Sequence, residues 1–144
     1  MQILSRVINV IILAIILSYI AAMKMKCGYC TDIPETTYVT TLSTIILVQV
    51  LLFALFPKQT HSFMASNKWF LLILLVINVA NIIYLYRFIG KMNESNCEQC
   101  SSEWRRTFLY YYSTFVLIIY AINIVMLIFM FPFIFNAATK HRNH

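Results

Sequence analysis

Four long stretches of this chain carry no charged side chain: residues 7–23, 36–57, 69–86 and 107–139. A helix rises 1.5 Å per residue and the hydrocarbon core of a bilayer is ~30 Å thick, so ~20 apolar residues cross it. The pattern predicts an all-α protein, a bundle of four transmembrane helices over about 3–23, 38–56, 69–88 and 107–135. These spans make one integral membrane domain, 1–144, with no soluble domain, linker or low-complexity tract. The first and third spans are just long enough. The fourth is longer than a bilayer needs and must tilt or extend beyond it. The first span does not have the end of a cleaved signal peptide. A cut after Ala21 or Ala22 puts Tyr19 or Ile20 at the position that requires a small residue.

The polar segments between the spans set the topology. Four spans place both termini on one side, together with the segment 57–68 that is expected to be a loop. The loops 24–37 and 87–106 fall on the other side and hold all four cysteines. All five acidic residues, Asp32, Glu35, Glu94, Glu98 and Glu103, are on the cysteine side, and all three histidines are on the terminal side. Lys and Arg are divided almost evenly, so the count that governs insertion does not choose an orientation. The terminal side is purely basic, which leans it toward the cytoplasm and the cysteine loops toward the lumen or exterior. Asn93-Glu94-Ser95 has the form of an N-glycosylation acceptor and leans the same way.

Overall composition agrees with the spans: 61% of residues are hydrophobic and 11% charged, against roughly 45–50% and 25% in a soluble domain. There is also a hint of internal repetition. "VINVIILAII" in the first span resembles "VINVANIIYL" in the third, and each leads into a C-x-x-C loop and a returning helix. The returning helices reach "LFP" and "MFP". This predicts two tandem helix–CxxC–helix hairpins related by an axis along the membrane normal.

Polar side chains within the spans call for explanation. Gln49, Asn78, Asn81 and Asn123 lie well inside them, and Asn78 and Asn81 share one helix face. An unsatisfied amide in hydrocarbon is costly, so these four are expected to be interhelical locks rather than a translocation path. No ionisable Asp, Glu, Lys, Arg or His lies within the four charge-free stretches 7–23, 36–57, 69–86 and 107–139, so nothing suggests a proton relay. Trp69 and Phe70 at one boundary, with Tyr84, Tyr86, Trp104 and Tyr110–Tyr112 at the other, mark the interfaces with lipid headgroups. The triple tyrosine lies too deep to serve as a base-stacking surface, and no specific nucleic-acid partner is expected. The basic tail "KHRNH" is expected to be solvated, within reach of anionic lipid.

The four cysteines form two C-x-x-C pairs, Cys27/Cys30 in "CGYC" and Cys97/Cys100 in "CEQC". Three chemistries suit that spacing, and free thiols are a fourth state. Disulfides, within each pair or between the loops, suit an oxidising compartment, and four cysteines allow three full pairings. A Cys₄ zinc site formed by Cys27, Cys30, Cys97 and Cys100 would suit a cytosolic side, and zinc is the one cofactor this set could hold. The third chemistry is thiol–disulfide exchange. One C-x-x-C after the first span and two cysteines between the third and fourth resemble the bacterial quinone-linked disulfide-generating membrane protein. Vitamin K epoxide reductase is similar more loosely. The resemblance implies Cys27–Cys30 as a quinone-facing pair and Cys97–Cys100 as the pair exchanging with a soluble partner. The chain departs from that family where Cys30 is followed by "TDIPETTY" with no arginine for the quinone, and where the second pair is closely spaced.

Nothing else points to catalysis. The sequence has no Ser/His/Asp set, no histidine cluster and no phosphate-binding glycine loop. The favoured expectation is a non-enzymatic structural membrane protein, with a membrane oxidoreductase as the alternative. In overall form the chain resembles the small multi-spanning membrane proteins of large icosahedral DNA viruses with an internal membrane. Its short loops, Ile/Phe/Tyr/Asn-rich spans and paired loop cysteines carry that likeness. It implies a minor virion component with capsid proteins and the bilayer as partners.

Overall fold

The computed structural model describes residues 2–93, 97 and 102–142, with the side chains of residue 2 and of 134–142 left out. Helix α1 spans Gln2–Lys26, α2 Pro34–Leu55, α3 Pro57–Ser66, α4 Lys68–Met92 and α5 Trp104–Arg142. Four of these, α1, α2, α4 and α5, are long and apolar enough to cross a membrane. The protein is an all-α four-span bundle, an integral multi-pass membrane protein.

The helix ends follow local chemistry. Ile33 is extended (φ −128°, ψ 148°), as the residue before a proline prefers, and Pro34 opens α2 where a missing N–H costs nothing. At the other end Phe56 donates to the Leu52 carbonyl at 2.9 Å, and Pro57 has no N–H to continue the ladder. The chain turns there directly into α3, a ten-residue helix in the segment expected to be a loop. Its "PKQTHSFMAS" is too short and polar to cross, but proline at its first turn favours a helix. Asn67 ends α3 by giving both its backbone N–H and its side-chain Nδ2 to the Phe63 carbonyl, each at 3.0 Å.

Pro132 behaves differently from Pro57. It lies inside α5, which continues through it. Polar Lys58 and Gln59 follow Pro57, whereas Phe133, Ile134 and Phe135 follow Pro132. Hydrocarbon demands that the backbone satisfy itself, so an apolar continuation keeps the helix going despite one lost bond. The "LFP" and "MFP" similarity therefore does not mark equivalent helix ends. At 39 residues α5 is about 58 Å long, against about 37 Å for α1 and α4.

Packing is uneven along the membrane normal. The fully buried side chains Ile16, Tyr19, Ile20, Met23, Val39, Leu85, Phe88, Ile89, Met92 and Leu109 all lie in the half nearer the cysteines. In the other half α5 stands away from the bundle, and every side chain described from Ala121 to Phe133 is exposed.

Candidate functional site

Two places gather the chemistry of this chain: a cap at the cysteine end and a polar cavity in the bundle. In the cap, a single 3-10 turn, Gly28–Cys30, folds the first loop back and buries Cys27 completely and Cys30 nearly so. Cys30 is joined to Cys97 by a disulfide with Cα atoms 5.9 Å apart. Cys27 is disulfide-bonded as well, and Cys100 lies outside the described residues. The bond from Cys30 to Cys97 overturns two expectations. Cys27–Cys30 is not a pair, so the quinone-facing pair implied by the oxidoreductase resemblance is not formed. Sulfurs bonded to each other are not thiolate ligands, so the Cys₄ zinc site is not formed either. Among the described residues no three His, Cys, Asp or Glu side chains gather as metal ligands.

Ion pairs cross the cap in the same sense as the disulfide. Lys26, in the last turn of α1, reaches Glu103, just before α5, at 2.6 Å. Lys91, in the last turn of α4, reaches Glu35, in the first turn of α2, at 3.0 Å, with Arg87 at 3.7 Å. Each pair thus joins the end of an odd-numbered span in one hairpin to the start of the returning helix in the other. The signs also suit the helix dipoles, with cations at C-termini and carboxylates at N-termini. Arg105 gives both Nε and Nη2 to one Glu103 oxygen, Oε2, places its guanidinium 5.9 Å from the Tyr19 ring centre, and donates to Ser18 Oγ at 3.2 Å. Hydrogen bonds from Lys26 and then Arg105 hold the Glu103 carboxyl below its ordinary value of 4.5. Beneath the cap Tyr38 stacks on Tyr84, and Tyr86 on Tyr110, so part of the aromatic belt also ties helices together.

The cavity measures about 300 Å³ and is walled by all four spanning helices. Asn9, Gln49, Asn78 and Asn81 face it, together with Tyr112 and Tyr120. Gln49 Oε1 is buried with no hydrogen-bond partner in the protein. The space admits several waters at ~30 Å³ each, and it offers hydrogen bonds without any charge. The chain matches no protein-family model, no curated protein and no solved structure.

The four amides expected to lock helices together do not act alike. Asn81 does cross between helices: its Oδ1 accepts from Ser43 Oγ at 3.1 Å, both residues buried. Asn78 Nδ2 instead donates to the Leu74 carbonyl, and Asn123 Nδ2 to the Ile119 carbonyl, each within its own helix. Asn123 is exposed on the outside of α5. A helical side chain can satisfy itself on the carbonyl four residues back, so an intramembrane amide needs no neighbour. Ser43 escapes a reading of the sequence because a lone serine is inconspicuous. Its signal is the spacing of Thr36, Thr40 and Ser43, a polar stripe along the inner face of α2. Asn93 is exposed at the end of α4, while Glu94 and Ser95 of its sequon lie outside the described residues. The tail residues Asn143 and His144 also lie outside them, and side chains 140–142 are not described.

Proposed function

We propose that this chain is a structural, non-catalytic membrane protein that anchors a protein shell to a lipid bilayer. The observation that carries the reading is the cross-tied cap, in which the Cys30–Cys97 disulfide and two sets of ion pairs bind the hairpins to each other. Cys27 and Cys30 are buried and Cys97 is half-buried, which suits a staple better than an exchange centre, because attack by a partner thiolate needs an exposed sulfur. Persistent disulfides also call for an oxidising compartment, so the cap faces the lumen or exterior and the termini face the cytoplasm. The long apolar α5 and the basic terminal side serve as the membrane anchor, and the rigid cap serves as the contact surface. The likeness in form to membrane proteins of large icosahedral DNA viruses supplies the shell: capsid proteins lying against an internal membrane.

The test is thiol labelling with a membrane-impermeant maleimide on intact and permeabilised membranes, with and without reductant, followed by incubation with a soluble quinone. The structural reading expects labelling only after reductant, from the lumenal face, and no quinone-driven reoxidation of the reduced cysteines. Reoxidation coupled to quinone reduction overturns it in favour of an oxidoreductase. Purification of membrane-bearing particles tests the shell separately. Retention of the chain with a capsid lattice supports the assignment, and recovery only as a dispersed protein removes it.

A further inference from the structure

Arg6 occupies the terminal-side end of α1, where its surroundings leave most of its hydrogen-bonding capacity unused. Its Nη1 donates to the Phe53 carbonyl at 3.4 Å. That carbonyl is the one residue 57 would bond in an unbroken helix, and Pro57 has no N–H to give it. Arg6 therefore caps α2 from a neighbouring helix and still has further N–H groups to offer. Among the described residues no carboxylate pairs with it. The described acidic residues, Asp32, Glu35 and Glu103, lie at the opposite end of the bundle.

Two cavities meet at this side chain. One, of about 380 Å³, is an apolar groove between α1 and α2 walled by Ile3, Val7, Val10, Ile11, Val50, Leu51 and Ala54 as well as Arg6. It follows α1 inward from residue 3 to residue 11, about 12 Å into the hydrocarbon. The other, of about 440 Å³, opens beneath α3 and is lined by Arg6, Pro57 and His61 among others. A half-buried cation at headgroup depth, beside a second N–H donor and continuous with an acyl-sized groove, has the chemistry of one ligand class. Guanidinium matches phosphate in charge and in fork geometry, and basic pockets between spans select anionic headgroups.

We propose that this site binds one anionic phospholipid, with its phosphate on Arg6 and His61 and an acyl chain in the groove between α1 and α2. This inference is independent of the shell-anchoring role, since it concerns only the terminal half of the bundle. The full chain is purified from bilayers of phosphatidylcholine with a minor fraction of phosphatidylglycerol, and the retained lipid is counted by native mass spectrometry. The wild type should hold phosphatidylglycerol at about five times its bulk proportion, the factor expected of one basic residue near a membrane surface. Arg6→Gln keeps a donor for the Phe53 carbonyl but removes the charge, and should abolish the enrichment. Ala54→Phe fills the groove from an exposed position without touching Arg6, and should reduce retention of either lipid. Inorganic phosphate added to the wild type should displace nothing, because it has no chain for the groove. Retention in proportion to bulk composition, undiminished enrichment in Arg6→Gln, or displacement by phosphate alone overturns the site.

Discussion

The two halves of this bundle solve the same problem in opposite ways. At the cysteine end, α1, α2, α4 and α5 converge on a buried core under a disulfide and crossed ion pairs. At the terminal end the side chains of α5 from Ala121 to Phe133 are exposed, and a groove and a second cavity meet at Arg6, while a polar cavity lies in the middle of the bundle. Lipid tails are as apolar as leucine, so burying Ile128 or Phe129 against protein gains little over leaving them in lipid. What holds helices together in a membrane is specific packing, polar contacts and covalent ties. Those are placed at one end, and the other end is left open.

The comparison breaks most directly at the disulfide. Cys30→Ser should lower resistance to unfolding by about 2–4 kcal/mol, the usual value for a bond closing a long loop. A denaturant titration in detergent reads this, and Leu127→Ala in the open half should shift the same curve by less than about 0.5 kcal/mol. Non-reducing peptide mapping should join Cys30 to Cys97 and Cys27 to Cys100, the remaining pair that crosses the hairpins in the same sense. Equal losses from Cys30→Ser and Leu127→Ala would erase the distinction between the halves.

Glu35 tests the ion pairs. Its side chain is 5% exposed, but its partners Lys91 and Arg87 are 40% and 59% exposed, so solvent takes up the slack when they lose it. Glu35→Ala should therefore shift the same titration by less than Cys30→Ser does, short of the effect of breaking a fully buried pair. Next in size is the hydrogen bond in the middle of the bundle. Ser43→Ala should cost about 0.6 kcal/mol in the same titration, the average for such bonds between membrane helices. Asn123→Leu, by contrast, should be neutral or slightly stabilising, since its amide bonds its own helix and faces outward.

Acid should loosen the cap alone. The folded-state pKa of Glu103 is lowered from 4.5, so its contribution is complete above that value. It is lost as pH falls through the lowered folded-state pKa. Thermal midpoints measured from about pH 6 down to about pH 3 should fall more for the wild type than for Glu103→Gln. Parallel decline in both proteins would mean that Glu103 carries none of the difference between the ends.

Much of the architecture is legible in the residue pattern, and the reason is solvent. Four charge-free runs of adequate length leave the backbone no choice but helices that satisfy their own hydrogen bonds. The short loops then put Cys27, Cys30 and Cys97, with the carboxylates of Asp32, Glu35 and Glu103, at one end. Three features are not legible. Helix α3 has the sequence of a loop, because ten residues of which six are polar carry no span signal and a proline opening a helix resembles one ending it. The continuation of α5 through Pro132 depends on the apolar Phe133, Ile134 and Phe135 rather than on the proline itself. Of four amides expected to lock helices, only Asn81 is seen bonding a neighbouring helix, because facing a neighbour is a property of the assembled bundle.

The cysteines show the same division most sharply. Spacing alone admits a disulfide, a zinc site or an exchange pair, since C-x-x-C serves all three chemistries. The choice of Cys97 as the partner of Cys30 comes from the tertiary structure, where the first loop lies against the end of α4 with Cα atoms 5.9 Å apart. Sequence determined that the chain enters a membrane four times and which residues meet at each surface, because hydrophobicity and length act locally. Only tertiary structure decided which of those residues touch, because bonds between helices depend on rotation and register that no single segment encodes.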